Sequence, residues 1–197
     1  MPPNIVNRAA ALKVAQLAGN MAVGYAAHVA AIRIAPRVND NALVRLIVDH
    51  PIDSIQRKDG TTWSFDTQDA LVSAVANTAI ATELPRVWIA GSLLAVGDAL
   101  KENDYFGHAP EFELVRHLRN DIAHGNRFDI RHPDKLKKYP AHNCDSPFRS
   151  PNNMIFEITP DLDGQPVLFD FIGAGDVLDL LLSVSVHLER LAAAATC

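Results

Sequence analysis

The chain has 197 residues, 48% of them apolar and 21% charged, enough to bury about 70% of its unfolded surface in one core without staples. Its formal charge of −5 excludes indiscriminate nucleic-acid binding, which needs an excess of lysine and arginine. Two cysteines, Cys144 and Cys197, cannot build a disulfide framework and point to a reducing cytoplasm.

Met-Pro-Pro-Asn lacks a basic start, and Arg8 and Lys13 interrupt the apolar run that follows, so no signal peptide is expected. Val87 to Val96 is too short to cross a bilayer, and the final apolar helix carries Asp179, His187, Glu189 and Arg190. These features predict a soluble cytoplasmic protein, read as one domain over residues 1–197.

Asn4 to Pro36 reads as one long helix, or two joined near Gly19 or Gly24. Val14, Leu17, Met21, Tyr25, His28 and Ile32 recur at steps of three and four, and the alanines between them suit close packing against another helix. His28 on that side reads as a hydrogen-bonded core histidine. Asp40 or Asn41 can cap a second helix, Ala42 to His50. Pro51 to Phe65 reads as irregular, with a turn at Asp59-Gly60 and a short strand or anchor at Thr61 to Phe65. Asp66 or Thr67 then caps a helix predicted to run to Leu84, where Pro85 breaks or starts an element. Val87 to Leu100 continues as helix to about Asn103, with Trp88 in the core.

Asn103 to Ala109 is a predicted loop, and Pro110 suits the first turn of the next helix. Phe112, Val115, Leu118 and Ile122 lay an apolar stripe along it. Arg116, Arg119, Asn120 and His124 lie off that stripe, and Gly125 stands where a left-handed residue closes a helix. Asn120 and His124 share a face, whereas Arg119 and His124 are about 140° apart around an ideal helix.

From Phe128 the chain leaves helix for an excursion, about 129–152, containing Pro133, Pro140, Pro147 and Pro151. A connection this long is functional or mobile. Between Leu114 and Arg149 eight Lys/Arg face four Asp, a local +4, and four of the eight histidines lie there too. An anionic ligand would go to that region. Met154 to Ile158 and Pro166 to Phe171, bridged by Asp161-Leu-Asp-Gly164, read as a β-hairpin lying on the bundle. Gly173 to Ala195 is the last helix, with Val177, Leu180, Leu181, Val184, Leu188 and Leu191 as its buried stripe. Val186 and the terminal alanines extend the apolar surface and point to a helix-mediated homodimer. The predicted fold is mainly α, a helical bundle with a small C-terminal β-hairpin before the last helix.

The run Glu111 to Phe128, with Arg119-Asn120-Asp121-Ile122-Ala123-His124 at its centre, resembles the HEPN superfamily. Its ribonucleases carry an arginine, a polar residue, spacer positions and a histidine near a helix end. The flanking Arg116-His-Leu and Gly-Asn-Arg127 also resemble that family. The resemblance implies a HEPN-like bundle and metal-independent endoribonuclease action by 2′-hydroxyl attack, leaving 2′,3′-cyclic phosphate and 5′-hydroxyl ends. It implies no cofactor, and a composite site built by two protomers, since one His124 does not readily serve as both base and acid. Arg119, Asn120 and His124 are the implied catalytic residues, with Arg116, Arg127 and Arg131 binding RNA. Toxins and antiviral effectors are frequent in such a family, which implies an inhibitory, antitoxin-like partner protein.

The residue chemistry fits those roles: histidine titrates near neutrality and moves protons, and arginine grips phosphate oxygens in pairs. Asp121 could pair with His117 or His124, or oppose phosphate. Other readings stand beside this one. Arginine and histidine at a helix end can simply complement the dipole. The same basic surface could serve a non-catalytic RNA-binding or protein-interaction module. His132, His142 and Cys144, with His124 or another group as a fourth ligand, offer zinc-type donors at a spacing that fits no regular zinc module. No Gly-x-Ser-x-Gly turn, Gly-x-Gly-x-x-Gly run or phosphate-loop lysine is present.

Overall fold

The computed structural model describes residues 7–34, 52–107, 109–136 and 147–195. Among these, 24–34 with 52–85 form one compact unit, and 7–23 with the residues from Arg86 onward form a second. The described residues are mainly helical, as expected. The predicted helix Ala42 to His50 lies outside them, as do His142 and Cys144.

Helix α1 (Arg8–Ile34) is continuous through both glycines. In the larger unit it buries Ala11, Val14, Ala15, Ala18 and Ala22, while Leu17 and Met21 are half-buried. The small side chains therefore form the contact stripe. A Cβ on Gly19 would stand 3.4 Å from the Ser185 hydroxyl on the last helix, the close approach that the alanines permit.

In the smaller unit the stretch expected to be irregular holds a strand at Ile52–Gln56, and the short strand offered at Thr61 to Phe65 is present at Thr62–Asp66. Strands β1 (Ile52–Gln56) and β2 (Thr62–Asp66) pair antiparallel in the register Ile52↔Asp66 to Gln56↔Thr62. The turn is fixed locally: Gly60 has φ +85°, and the Asp59 carboxylate accepts from the Thr61 N–H and hydroxyl at 3.0 and 2.7 Å. Both strands are largely exposed, so neither shows the one-sided alternation by which a strand is read from sequence.

Asp66 caps α2 (Thr67–Ala76), accepting from the Asp69 N–H at 2.8 Å. The helix expected to run to Leu84 instead stops at Asn77, whose side chain accepts from the Ala79 N–H at 3.0 Å and so opens α3 (Thr78–Glu102). An asparagine that offers the backbone its own acceptor favours such a restart. The expected break at Pro85 is absent, because Pro85 lies inside α3. Proline forfeits one helical hydrogen bond, and the helix continues on both sides of it.

In the larger unit α3 buries Ile89, Leu93, Val96 and Leu100 completely. Trp88 is half-buried and donates from its indole nitrogen to the Met21 carbonyl at 3.2 Å, tying α3 to α1. Helix α4 (Pro110–Ala123) begins with Pro110 at its first position and Glu111 and Glu113 in its first turn, favourable for the helix dipole. It buries Phe112, Leu114, Val115 and Leu118. The predicted stripe holds for three of its four residues; Ile122 is half-buried, and Asp121 lies buried one turn beyond Leu118.

The short α5 (Pro133–Leu136) anchors the start of the excursion through the buried Leu136. The hairpin differs from expectation. Strand β4 (Ile155–Phe156) pairs with β3 (Phe148–Arg149), in the register Phe148↔Phe156 and Arg149↔Ile155, and not with Pro166 to Phe171. Pro166 has no N–H for a ladder, and Asn126 takes the N–H groups of Val167 and Leu168. Residues 166–172 therefore close into a tight loop with isolated bridges Arg127↔Pro166 and Leu168↔Ile172. Helix α6 (Ala174–Ala194) buries Val177, Leu180, Leu181, Val184 and Leu188 as predicted. Leu182 and Val186 face solvent. No helix among the described residues is long and apolar enough to cross a membrane.

Candidate functional site

The polar end of α4 is built by its own termination. His124 is the closing residue, and its N–H donates to the Asn120 and Asp121 carbonyls at 3.1 and 3.3 Å. Gly125 at φ +103° and Asn126 at φ +59° reverse the chain, and the Asn126 N–H returns to the Asp121 carbonyl at 2.9 Å. Glycine occupies that left-handed position without steric penalty. Asn126 then accepts from Leu168 N–H through its side chain at 2.9 Å and from Val167 N–H through its carbonyl at 3.1 Å. The helix end is thereby fastened to loop 166–172.

This geometry opens a cleft of about 570 Å³. Arg116, His117, Asn120, Asp121 and His124 line it from α4; Asp129, Arg131 and His132 line it from the segment that follows. Arg116 is oriented by Glu113, a carboxylate only 1% exposed, at 2.7 Å, and its Nη2 donates to His117 Nε2 at 3.2 Å. Because arginine only donates, His117 Nε2 is the accepting nitrogen. Arg131 is held by Asp129 through bonds of 2.8 and 3.0 Å, and that contact holds the Asp129 carboxyl below the ordinary carboxylate range.

Two of the residues singled out from sequence lie elsewhere. Arg119 does not line the cleft: its guanidinium donates to Asp98 on α3, through Nε at 2.9 Å and through Nη2, and to Asn120 Oδ1 through Nη1 at 3.0 Å. Gly97 makes room for this, since a Cβ there would lie 2.7 Å from Arg119 Cγ. Arg127 donates to the Gly164 carbonyl at 2.7 Å and is likewise outside the cleft lining. Arg119 nonetheless acts on the site. With Asn120 Oδ1 occupied, the Asn120 amide hydrogens remain as donors toward the cleft.

Asp121 is the least expected member. It hydrogen-bonds neither His117 nor His124. It is 5% exposed, its Oδ1 accepts from the Asp129 N–H at 3.3 Å, and its Oδ2 has no hydrogen-bond partner among the described residues. Burial, reinforced by the charge of Asp129, pushes its carboxyl up to about 6, against the opposing pull of the Asp129 N–H, His124 and Arg116. The cue was its place three residues after Leu118, on the apolar side of the helix.

A carboxyl whose folded pKa is raised contributes stability below its ordinary value of 3.8 and loses it as the pH rises through about 6. Asp121→Asn is therefore expected to be more stable than the unaltered protein by about 2 kcal/mol at pH 7.5, with the gap closing near pH 4. Urea unfolding at the two pH values checks this. A gap of equal size at both would exclude titration of Asp121 as its cause.

Among the described residues no group of three His, Cys, Asp or Glu side chains is arranged to hold a metal ion. His132, one of the zinc-type donors in the sequence, lies with His117 and His124 along the cleft. Comparison with protein families, with curated proteins and with solved structures gives no match. The functional reading therefore rests on the cleft's own residues.

Proposed function

We propose that this chain is an endoribonuclease of HEPN type, cleaving RNA by attack of the ribose 2′-hydroxyl on the adjacent phosphate without a metal. The observation that carries the reading is the joining of His117, His124 and His132 with Arg116 and Arg131 in one cleft. Proton transfer and phosphate contact are the two chemistries such a cleavage needs. In this mechanism His124 takes the 2′-hydroxyl proton as the oxygen bonds to phosphorus. A second imidazole protonates the departing 5′-oxygen, leaving a 2′,3′-cyclic phosphate and a 5′-hydroxyl. Arg116 and Arg131 meet the phosphate oxygens, and the Asn120 amide, turned by Arg119, donates to one of them.

The composite arrangement belongs to the same proposal. A second copy across a two-fold axis supplies another His124, and the exposed Leu182 and Val186 on α6 support a helix-mediated homodimer. A cytoplasmic nuclease of this type, acting as a toxin or defence effector, would be held in check by an inhibitory antitoxin-like protein.

Two observations favour a second reading, a non-catalytic RNA-binding or protein-interaction module. Arg119 and Arg127 are committed to Asp98 and the Gly164 carbonyl, and Asp121 and Asp129 oppose phosphate within the cleft. Incubation of the purified protein with mixed RNA in EDTA separates the two. The ribonuclease yields fragments with cyclic-phosphate and 5′-hydroxyl ends; intact RNA retained by the protein would favour the module.

A further inference from the structure

Loop 166–172 turns its apolar side chains inward with one exception. Val167, Leu168 and Ile172 are buried, and Phe171 packs into the aromatic cluster against Phe128 and Phe156, with ring centroids 5.1 and 5.7 Å away. Phe169 is the exception: beside the exposed Asp170 it is itself 42% exposed, while the other apolar side chains of the loop turn inward.

Its backbone is also unusual. Phe169 has φ +74°, a conformation that is an outlier for a bulky residue. Its N–H donates to the Ile172 carbonyl at 2.9 Å, and the N–H groups of Phe171 and Ile172 both return to the Val167 carbonyl at 3.1 and 3.2 Å, so the loop holds it there. Glycine or asparagine would adopt this φ at lower cost. What phenylalanine adds is an outward ring, and strain of this kind gathers where a ligand is met.

The ring is backed by a cation. The Arg86 guanidinium carbon lies 5.2 Å from the Phe169 ring centroid, and Arg86 makes no ion pair among the described residues. An exposed aromatic face beside an unneutralised guanidinium is the pairing that takes one unit of a single-stranded nucleic acid, base on ring and phosphate on arginine. Phe169 and Arg86 stand outside the cleft lining but are tied to the same helix end. Phe169 directly follows Leu168, whose N–H is bonded to Asn126, two residues beyond His124.

We infer that Phe169, backed by Arg86, is a stacking platform for a base of single-stranded RNA flanking the phosphate held at the α4 cleft. The inference rests on the ribonuclease reading and adds a binding site to it. Stacking accepts any base, so the platform gives grip and register without sequence preference.

The test is fluorescence anisotropy with a labelled 2′-O-methyl RNA hexamer, which binds but lacks the hydroxyl needed for cleavage. Phe169→Gly suits the left-handed backbone, so it removes the ring without straining the loop. It is expected to weaken binding at least about tenfold. Phe169→Trp is expected to bind within about twofold of the unaltered protein and to show tryptophan quenching on addition of the hexamer. Equal affinity for Phe169→Gly and the unaltered protein would overturn the platform and leave the ribonuclease reading standing. No binding by any of the three would overturn the platform as well, and the cleavage assay in EDTA would then decide the nuclease separately.

Discussion

His124→Ala is expected to lower RNA cleavage by roughly a thousandfold, the size of a lost proton-transfer group, while leaving the unfolding midpoint unchanged. Only the backbone of His124 has a structural task, donating to Asn120 and Asp121 to close α4. Its side chain is exposed and makes no hydrogen bond among the described residues, so alanine closes the helix as well. Arg119→Ala should behave differently. It removes the contact to Asp98 across to α3 and releases Asn120, costing no more than about 1 kcal/mol because the pair is partly solvated. Cleavage should fall by one to two orders of magnitude, and most of that loss should be shared with Asn120→Ala, since residues acting as a unit are not additive. Single-turnover rates on one RNA substrate, with urea unfolding of each variant, test both statements. Full activity in His124→Ala would remove the imidazole from the mechanism.

The difference between these two residues shows where the sequence was readable. Spacing of three and four identified α4, its proline start and its glycine stop, because those signals are local and chemical. It also put Arg119 and His124 about 140° apart, which is why one reaches Asp98 on α3 and the other the cleft. What spacing lacks is the partner. Asp98 lies 21 residues before Arg119, and the Asn126 contact with Leu168 spans 42; no periodicity reports such pairs. The misplaced hairpin has the same origin. Met154 to Ile158 was a sound strand signal, but its choice between Phe148-Arg149 and Pro166 to Phe171 was decided by Asn126 holding the latter. Strand β1 escaped because all five of its residues are exposed, and a strand exposed on both faces has no alternation to detect. Asp121 was legible in position but not in consequence, since only the fold shows that its carboxylate is buried.

Phe112→Ala tests the layer beneath the cleft and should be the most destabilising of these changes. Phe112 is fully buried, and its ring lies 6.3 Å from that of Tyr105 and 4.9 Å from that of His187 on α6, centroid to centroid. His187 is in turn held by Glu111, the residue beside Phe112, at 2.6 Å. Truncation removes the ring and leaves a cavity between α4 and α6 that two packed helices cannot fully close, a loss of about 3–5 kcal/mol. For a chain of this length that corresponds to a fall in Tm of roughly 6–20 °C. The cleft should survive where the protein remains folded, because its lining begins a full turn beyond Phe112, at Arg116, and runs to a helix end fixed by Gly125 and Asn126. Cleavage per folded molecule, measured well below the new midpoint, is therefore expected to stay within a few fold of the unaltered protein. Loss of cleavage in a molecule that circular dichroism shows to be folded would mean that the packing of α4 on α6 itself sets the geometry of His124. The buried stripe that holds the helix would then not be separable from its polar end.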